Sequence, residues 1–217
     1  IIDAAVVAVR SKKHPWRATP GIITSAEDAV RGVRSVMEAV PVNAAIHEAV
    51  VTRGYSRIGV VGLPCQVHGI RKLQAAAKPK RLADAVVFSI GLFCNSTTYF
   101  IGVEHLLKEI GGIESLAEIV GLDYRAGNWP GSMMAMTEEG KFHFIASKSA
   151  YGSFFSAANY RRDRCLMCTE FSAELADISM GDIFQTAPDE NPRLTAALVR
   201  TEIGEELVDG ATRKGFI

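Results

Sequence analysis

The chain has no excess of either charge, no long apolar run and only four cysteines in its 217 residues. Its 24 lysines and arginines balance 24 aspartates and glutamates, so composition gives no support to a polyanion binder or a polybasic membrane binder. No apolar stretch approaches the ~20 residues that a membrane helix needs. The apolar start lacks a basic region and a small-residue cleavage site, so no secretory signal is read. Four cysteines are too few for a disulfide-rich scaffold of this length. There is no G-x-G-x-x-G, no P-loop and no H-x-x-x-H, so a dinucleotide would have to be held without the Rossmann fingerprint. With 48% hydrophobic and 22% charged residues, the chain is globular rather than disordered, and long enough to bury a core without staples. A cytoplasmic, reduced setting is expected, in which thiols serve as ligands or catalysts. Ile1 stands where a methionine would, and TRKGFI ends without a polar tail; both ends are expected to be cut inside a longer protein.

Against these absences stands a clear alternation of elements. Ile1–Val9 and Arg57–Val61 read as buried strands, as does Ala83–Ile90. His14–Thr24, with Pro15 and Pro20, reads as a loop with a short extended piece. Ser25 ahead of Glu27 and Asp28 caps a helix running toward Val36. Val42–Arg53, Gln66–Ala77 and Tyr99–Ile110 carry helical spacing. Strand, helix, strand, helix at this spacing predicts a βαβα unit with parallel strands. Past Gly121 the pattern changes. Tyr124–Pro130 is turn-rich, Ser132–Thr137 and Lys141–Ile145 form a hairpin about Glu139-Gly140, and Arg161–Asp182 is a cysteine-bearing loop that ends in a strand, Ala176–Met180. Leu194–Val199 is a further strand, and Ile203–Ala211 a helix. The expected fold is α/β with α+β features in the second half. It comprises a small parallel βαβ sheet over 1–121 and a hairpin-containing, cluster-binding region over 122–217, as one compact unit.

The cysteines carry the chemistry. Cys65 and Cys94 lie 29 residues apart, about one βαβ repeat. Each follows a buried strand at the mouth of a helix, in Gly62-Leu63-Pro64-Cys65-Gln66 and Gly91-Leu92-Phe93-Cys94. Neighbouring parallel strands would project both thiols from the carboxyl edge, where open α/β sheets place ligands, and helix N-termini favour thiolates. Cys165-Leu166-Met167-Cys168 is a C-x-x-C loop whose two sulfurs can reach one metal or cluster. The four thiols then make one complete Cys₄ set. The plainer alternative has Cys65 and Cys94 as small core residues beside a separate C-x-x-C feature. Spacing does not choose between iron–sulfur and zinc; Arg161, Arg162 and Arg164 before Cys165 offer positive charge to an anionic cluster or a phosphate-bearing cofactor, or form a solvated basic loop. His68 reads as a hydrogen-bonded surface histidine on the first turn after Cys65. Tyr124 to Gly131 has the aromatic, arginine and glycine content to bracket a planar cofactor, or is a hairpin turn with one buried tryptophan.

In order along the chain, G-L-P-C-Q, G-L-F-C, W-P-G, C-x-x-C and A-D-I-S-M-G-D resemble the coenzyme F420-reducing hydrogenase β-subunit family, which also covers formate dehydrogenase β-subunits and related flavin, iron–sulfur reductases. The resemblance runs from Ile1 to Ile217. It implies an FAD-containing electron relay with a [4Fe–4S] cluster and coenzyme F420 or another organic acceptor. Cys65, Cys94, Cys165 and Cys168 match its cluster ligands. Trp129, Pro130 and Gly131 match its W-P-G turn, and Gly181 with Asp182 its G-D step, both near the flavin. Gly62, Pro64 and Gln66 of the first motif, with Arg125 and Arg164, complete the expected cofactor contacts. The family's S-G-G segment would precede Ile1. Partners implied are other hydrogenase or formate dehydrogenase type subunits or a ferredoxin-like donor, with neither nucleic acid nor a transmembrane segment. Two readings from other classes stand beside this one: a zinc-stabilised binding module without catalysis, and a thiol enzyme using Cys65.

Overall fold

The structure is a computed structural model describing residues 2–76, 80–128, 131–146, 158–183 and 194–217. Its centre is a six-stranded sheet. The strands are β1 (Ala4–Arg10), β2 (Ala18–Ile23), β3 (Ile58–Gly62), β4 (Val86–Leu92), β8 (Ile178–Asp182) and β9 (Thr195–Val199), in the order β2-β1-β3-β4-β8-β9. Strands β1, β3, β4 and β8 run parallel, and β2 and β9 close the edges antiparallel. The parallel strands are mostly apolar because they are covered on both faces, with Ser89 and Ser179 as buried polar exceptions. Between β4 and β8 the chain builds a second, antiparallel sheet from β5 (Ile119–Ala126), β6 (Ser132–Thr137) and β7 (Phe142–Ala146). The larger sheet thus takes strands from both sides of residue 121, while the smaller begins at Ile119.

Helices α2 (Ala44–His47, continuing as the π-helical turn Glu48–Thr52), α3 (Pro64–Ala75) and α4 (Lys80–Ala85) contribute to one side of the larger sheet. There Val6, Ile58, Val60 and Val86 pack with Ile46, Ala49, Val50 and Ile70. The opposite side carries Val7 and Val9 with Ile23. Helix α5 (Phe100–His105) leads into a second core, where Val103, Leu106 and Leu107 pack on Tyr124, Met133 and Ile145 of the small sheet. The chain then returns through α6 (Asp163–Leu166) and ends in α7 (Glu202–Arg213).

Several elements differ from the sequence expectation, each for a local reason. The short extended piece expected within the loop His14–Thr24 is the six-residue strand β2. Pro20 is tolerated there because β2 is an edge strand with one unpaired side. The helix capped by Ser25, whose Oγ accepts from Asp28 N–H at 3.1 Å, lasts one turn (α1, Ala26–Ala29) and gives way to a 3₁₀ turn, Val30–Gly32, rather than reaching Val36. Ala83 and Ala85 are buried as expected, yet they lie on α4, and the strand starts only at Val86. Tyr124 to Ala126, expected in a turn, finish β5. The hairpin across Glu139-Gly140 forms as read, with Gly140 at φ 75.

A buried carboxylate locks β2 against the sheet. Glu38, 3% exposed, accepts from Ala18 N–H at 2.5 Å and pairs with Arg17 at 3.0 Å. Desolvation nevertheless wins and raises its pKa above the usual carboxylate value. A folded-state value above the unfolded one means that this group's stability contribution is complete below the ordinary value of 4.5 and is lost as pH rises through the raised one. Glu38→Gln keeps an acceptor for Ala18 without an ionisable proton. Urea unfolding should therefore show the stability of the variant gaining on that of the wild type between pH 4 and pH 7, whereas a parallel pH dependence of the two proteins would contradict this account.

Candidate functional site: four thiols beside an apolar cavity

The parallel strands all end at one edge, and the sequence places its polar chemistry there. After β3, Leu63 enters α3 with Pro64 at the first helical position, where a missing N–H costs nothing. Gln66 reaches back so that its Oε1 accepts from Leu63 N–H at 2.8 Å, while its Nε2 donates to Val40 O at 2.5 Å. That fixes Cys65 on the first turn of α3. After β4, Phe93 N–H donates to Met180 O at 2.8 Å and Cys94 N–H to Phe171 O at 2.9 Å, tying the strand end to the loop beyond Cys168. Cys165 and Cys168 sit on and just after α6; Cys165 N–H donates to Arg162 O at 2.8 Å.

The four sulfurs lie close enough to act on one another electrostatically. Burial first, then Cys65, Cys165 and Cys168, push the Cys94 thiol up to about 12. Burial, reinforced by Cys165 and Cys168 and opposed by Arg162, raises Cys65 as well. The thiolate-favouring effect expected of the helix N-terminus is thus outweighed by desolvation and by the neighbouring thiols. An elevated thiol is also a poor nucleophile, which counts against Cys65 as the centre of a thiol enzyme. Among the described residues, the only group of three metal-ligating side chains with all donor atoms within 4.8 Å of one another is His68, Glu170 and Glu174. The four sulfurs, as a set, therefore spread wider than the ~3.8 Å edges of a zinc tetrahedron with ~2.3 Å Zn–S bonds. His68 Nε2 meets Glu170 Oε2 at 3.1 Å, fastening the helix of Cys65 to the loop of Cys168.

Next to the thiols is a cavity of about 590 Å³, within the range of small-molecule sites. Ala5, Val7 and Val61 contribute to its floor, and the ends of β3, β4 and β8 bring in Gly62, Leu63, Leu92, Phe93, Gly181 and Asp182. Its wall is the irregular segment Gly32 to Glu38, where Arg34 adopts the left-handed region at φ 77. Two ion pairs cross the rim. Arg34 pairs with the buried Asp123, and Arg125 Nη1 meets Asp182 Oδ2 at 2.5 Å. Thiols and cavity draw on the same strand ends: Leu63 lines the cavity two residues before Cys65, and Phe93 directly precedes Cys94.

Of the residues expected to contact a cofactor, Gly62, Gln66, Arg125, Gly181 and Asp182 line this one cavity. Pro64 is buried at the helix start instead, Gly131 (φ 87) packs against the backbone of Arg125, and Arg164 is exposed on α6. Trp129 and Pro130 lie outside the described residues. Sequence reasoning missed the wall from Gly32 to Glu38, where no motif or period signals a site. It also missed Thr97, whose Oγ1 lies 3.7 Å from Cys165 Sγ.

Four thiols and an adjoining cavity on the carboxyl edge of a mostly parallel sheet define an α/β protein of the kind that gathers its chemistry at strand ends. Its sequence matches two adjoining families, described as the N-terminal part of the coenzyme F420 hydrogenase/dehydrogenase beta subunit, over residues 1–47, and the C-terminal part of the same protein, over residues 55–217. The chain belongs to the coenzyme F420 hydrogenase/dehydrogenase beta-subunit family. It is 31% identical over 209 residues to one subunit of the F(420)H(2) dehydrogenase of Methanosarcina mazei, covering 96% of this chain and 53% of that protein. It is 26% identical over 217 residues to the beta subunit of the coenzyme F420 hydrogenase of Methanococcus voltae, covering 100% and 71%. To the coenzyme F420-dependent sulfite reductase of Methanocaldococcus jannaschii it is 26% identical over 226 residues, spanning 98% of this chain and 32% of that protein. The chain thus spans about half the length of the first of these relatives. Its fold is that of a chain in the F420-reducing [NiFe] hydrogenase complex from Methanosarcina barkeri, with a TM-score of 0.72, 24% identity and coverage of 99% of this chain and 68% of that one. Among the described residues no helix is long and apolar enough to cross a membrane.

Proposed function

We propose that this chain is an electron-transfer module of an oxidoreductase. In this reading Cys65, Cys94, Cys165 and Cys168 ligate one [4Fe–4S] cluster, and the adjoining cavity holds FAD. The carrying observation is the convergence of four thiols from three separate segments beside a cavity that shares their strand ends. The residues suit these groups. The sulfurs are spread more widely than a single zinc ion requires, and Arg162, whose charge reaches Cys65, offsets an anionic site. The cavity offers an apolar floor for a planar ring system and two guanidinium groups on its rim. When bound, the cluster supplies one-electron chemistry and the flavin joins single electrons to hydride chemistry. The chain's own contribution is to hold the two groups side by side, to exclude water with Val7, Val61 and Phe93, and to close the rim through its ion pairs.

The relatives are named for coenzyme F420, and that deazaflavin, or another organic hydride carrier, is the proposed acceptor. Other oxidoreductase subunits or a ferredoxin-like donor are the proposed electron source. Leu166 and Met167, exposed between the two loop cysteines, are the proposed apolar contact for such a partner. Anaerobic purification should give a brown protein with broad absorbance near ~400 nm and about four iron atoms per chain. It should also bind about one flavin and reduce coenzyme F420 with an artificial donor. Zinc in place of iron would overturn the reading.

A further inference from the structure

We propose that Thr97 tunes the reduction potential of the group held by the four thiols, by donating its hydroxyl proton to the Cys165 sulfur. The inference rests on the thiols being cluster ligands and concerns a residue outside that ligand set.

Two cysteine sulfurs have a neighbouring polar atom within hydrogen-bond reach among the described residues. Cys168 Sγ–H donates to Glu170 O at 3.6 Å, and Thr97 Oγ1 lies 3.7 Å from Cys165 Sγ. The two contacts respond oppositely to ligation. A coordinating cysteine is a thiolate and has no proton to give, so the Cys168 bond to Glu170 disappears. The Thr97 hydroxyl carries its own proton, so its contact with Cys165 becomes a charge-assisted bond to the thiolate.

Position and burial make that bond persistent. Thr97 is 6% exposed, so water does not compete for its hydroxyl. Its carbonyl accepts from Arg162 N–H at 3.2 Å, next to the helix that carries Cys165. Its neighbour Thr98 donates its N–H to Met37 O at 3.1 Å and accepts from Ala39 N–H at 3.3 Å. Met37 and Glu38 line the cavity. Thr97 and Thr98 thus form a two-residue post between thiols and cavity, with one hydroxyl beside a ligand sulfur.

A hydrogen bond to a ligand sulfur withdraws electron density from the metal centre and stabilises the more negative, reduced state more than the oxidised one, so it raises the potential. If the charge-assisted bond is stronger in the reduced state by about the worth of one neutral hydrogen bond, the reduction equilibrium changes about fivefold, or about 40 mV for a one-electron couple. Thr97→Val keeps the branched shape and removes the hydroxyl; Thr97→Ser keeps the hydroxyl. Potentiometric titration of the anaerobically purified chain, followed by the EPR signal of the reduced cluster, should place T97V about 40 mV below the wild type. T97S should match the wild type, and all three proteins should hold equal iron. A T97V potential equal to that of the wild type, or a T97S potential lowered as far as T97V, would overturn the assignment. Should T97V hold less iron, Thr97→Ala offers the same comparison with a smaller side chain. A wild-type chain without iron overturns the cluster reading and this inference together, whereas iron-replete proteins with identical potentials overturn this inference alone.

Discussion

Cys94→Ser is expected to reduce bound iron from about four atoms per chain to less than about one, and Cys65→Ser, Cys165→Ser and Cys168→Ser are expected to do the same. The effect is large because, in the proposed site, all four thiols hold one group. The Cys94 thiol is pushed up to about 12 by burial and by the other three. It becomes a ligand only when a metal replaces its proton. A serine hydroxyl in the same desolvated position is far harder to ionise than a thiol, so it cannot take that place. Iron and acid-labile sulfide assays on the four anaerobically purified variants read the result directly. Two independent features would behave otherwise: C165S and C168S would lose metal, while C65S and C94S retained it.

Gly91→Ala should destabilise the protein by about 3 kcal/mol, near the upper end for overpacking a core, and should strip the thiol site with it. Gly91 lies in β4, opposite Ser179 of β8. A Cβ there would overlap the Cβ of Ala173 and come within 2.8 Å of that of Ala176. Neither neighbour is a flexible side chain that can swing aside. Ala173 is fully buried and already adopts the left-handed region at φ 52, so its backbone has little freedom to retreat. The loop must move instead, and with it the bond from Cys94 N–H to Phe171 O that joins the two halves of the site. Gly210 on α7 makes the control. A Cβ there would meet nothing within 4 Å beyond its own helix backbone, and Gly210→Ala should stabilise the chain by ~0.5–1 kcal/mol through helix propensity. Chemical denaturation with iron analysis on both variants tests the pair. A Gly91→Ala protein of wild-type stability and iron content would show that the packing here is looser than described.

Which parts of this architecture could be read from sequence follows from how each part is held. The strands at Ile58–Gly62 and Val86–Leu92, read over Arg57–Val61 and Ala83–Ile90, were legible because strands covered on both faces are mostly apolar. The Gly-Leu-x-Cys steps that end them mark the edge where the thiols gather. The antiparallel edge strand β2 was legible only as a short extended piece, because Pro15 and Pro20 signal a loop unless one knows that β1 supplies only one partner. The register that brings β8 beside β4 lies in no local pattern, since Ile178 meets Ile90 across the whole small sheet. The cavity was half visible. Its floor and strand-end residues belong to motifs, but its wall owes its course to a one-turn helix, a 3₁₀ turn and the left-handed Arg34. Thr97 escaped notice because a threonine among Asn95, Ser96 and Thr98 reads as an ordinary polar loop, and only folding sets it against Cys165.

The interruption between β4 and β8 also sets a timetable for synthesis. Cys65 and Cys94 leave the ribosome with the first half of the sheet, while Cys165 and Cys168 follow some 70 residues later, several seconds at about 5–20 residues per second. During that interval β4 is an open edge, without the β8 strand that will cover it, and two of the four thiols wait there without their partners. Whatever the thiols hold in common is therefore acquired only after the second pair has emerged. Until then the order of the chain leaves a strand edge unpaired and two sulfurs exposed.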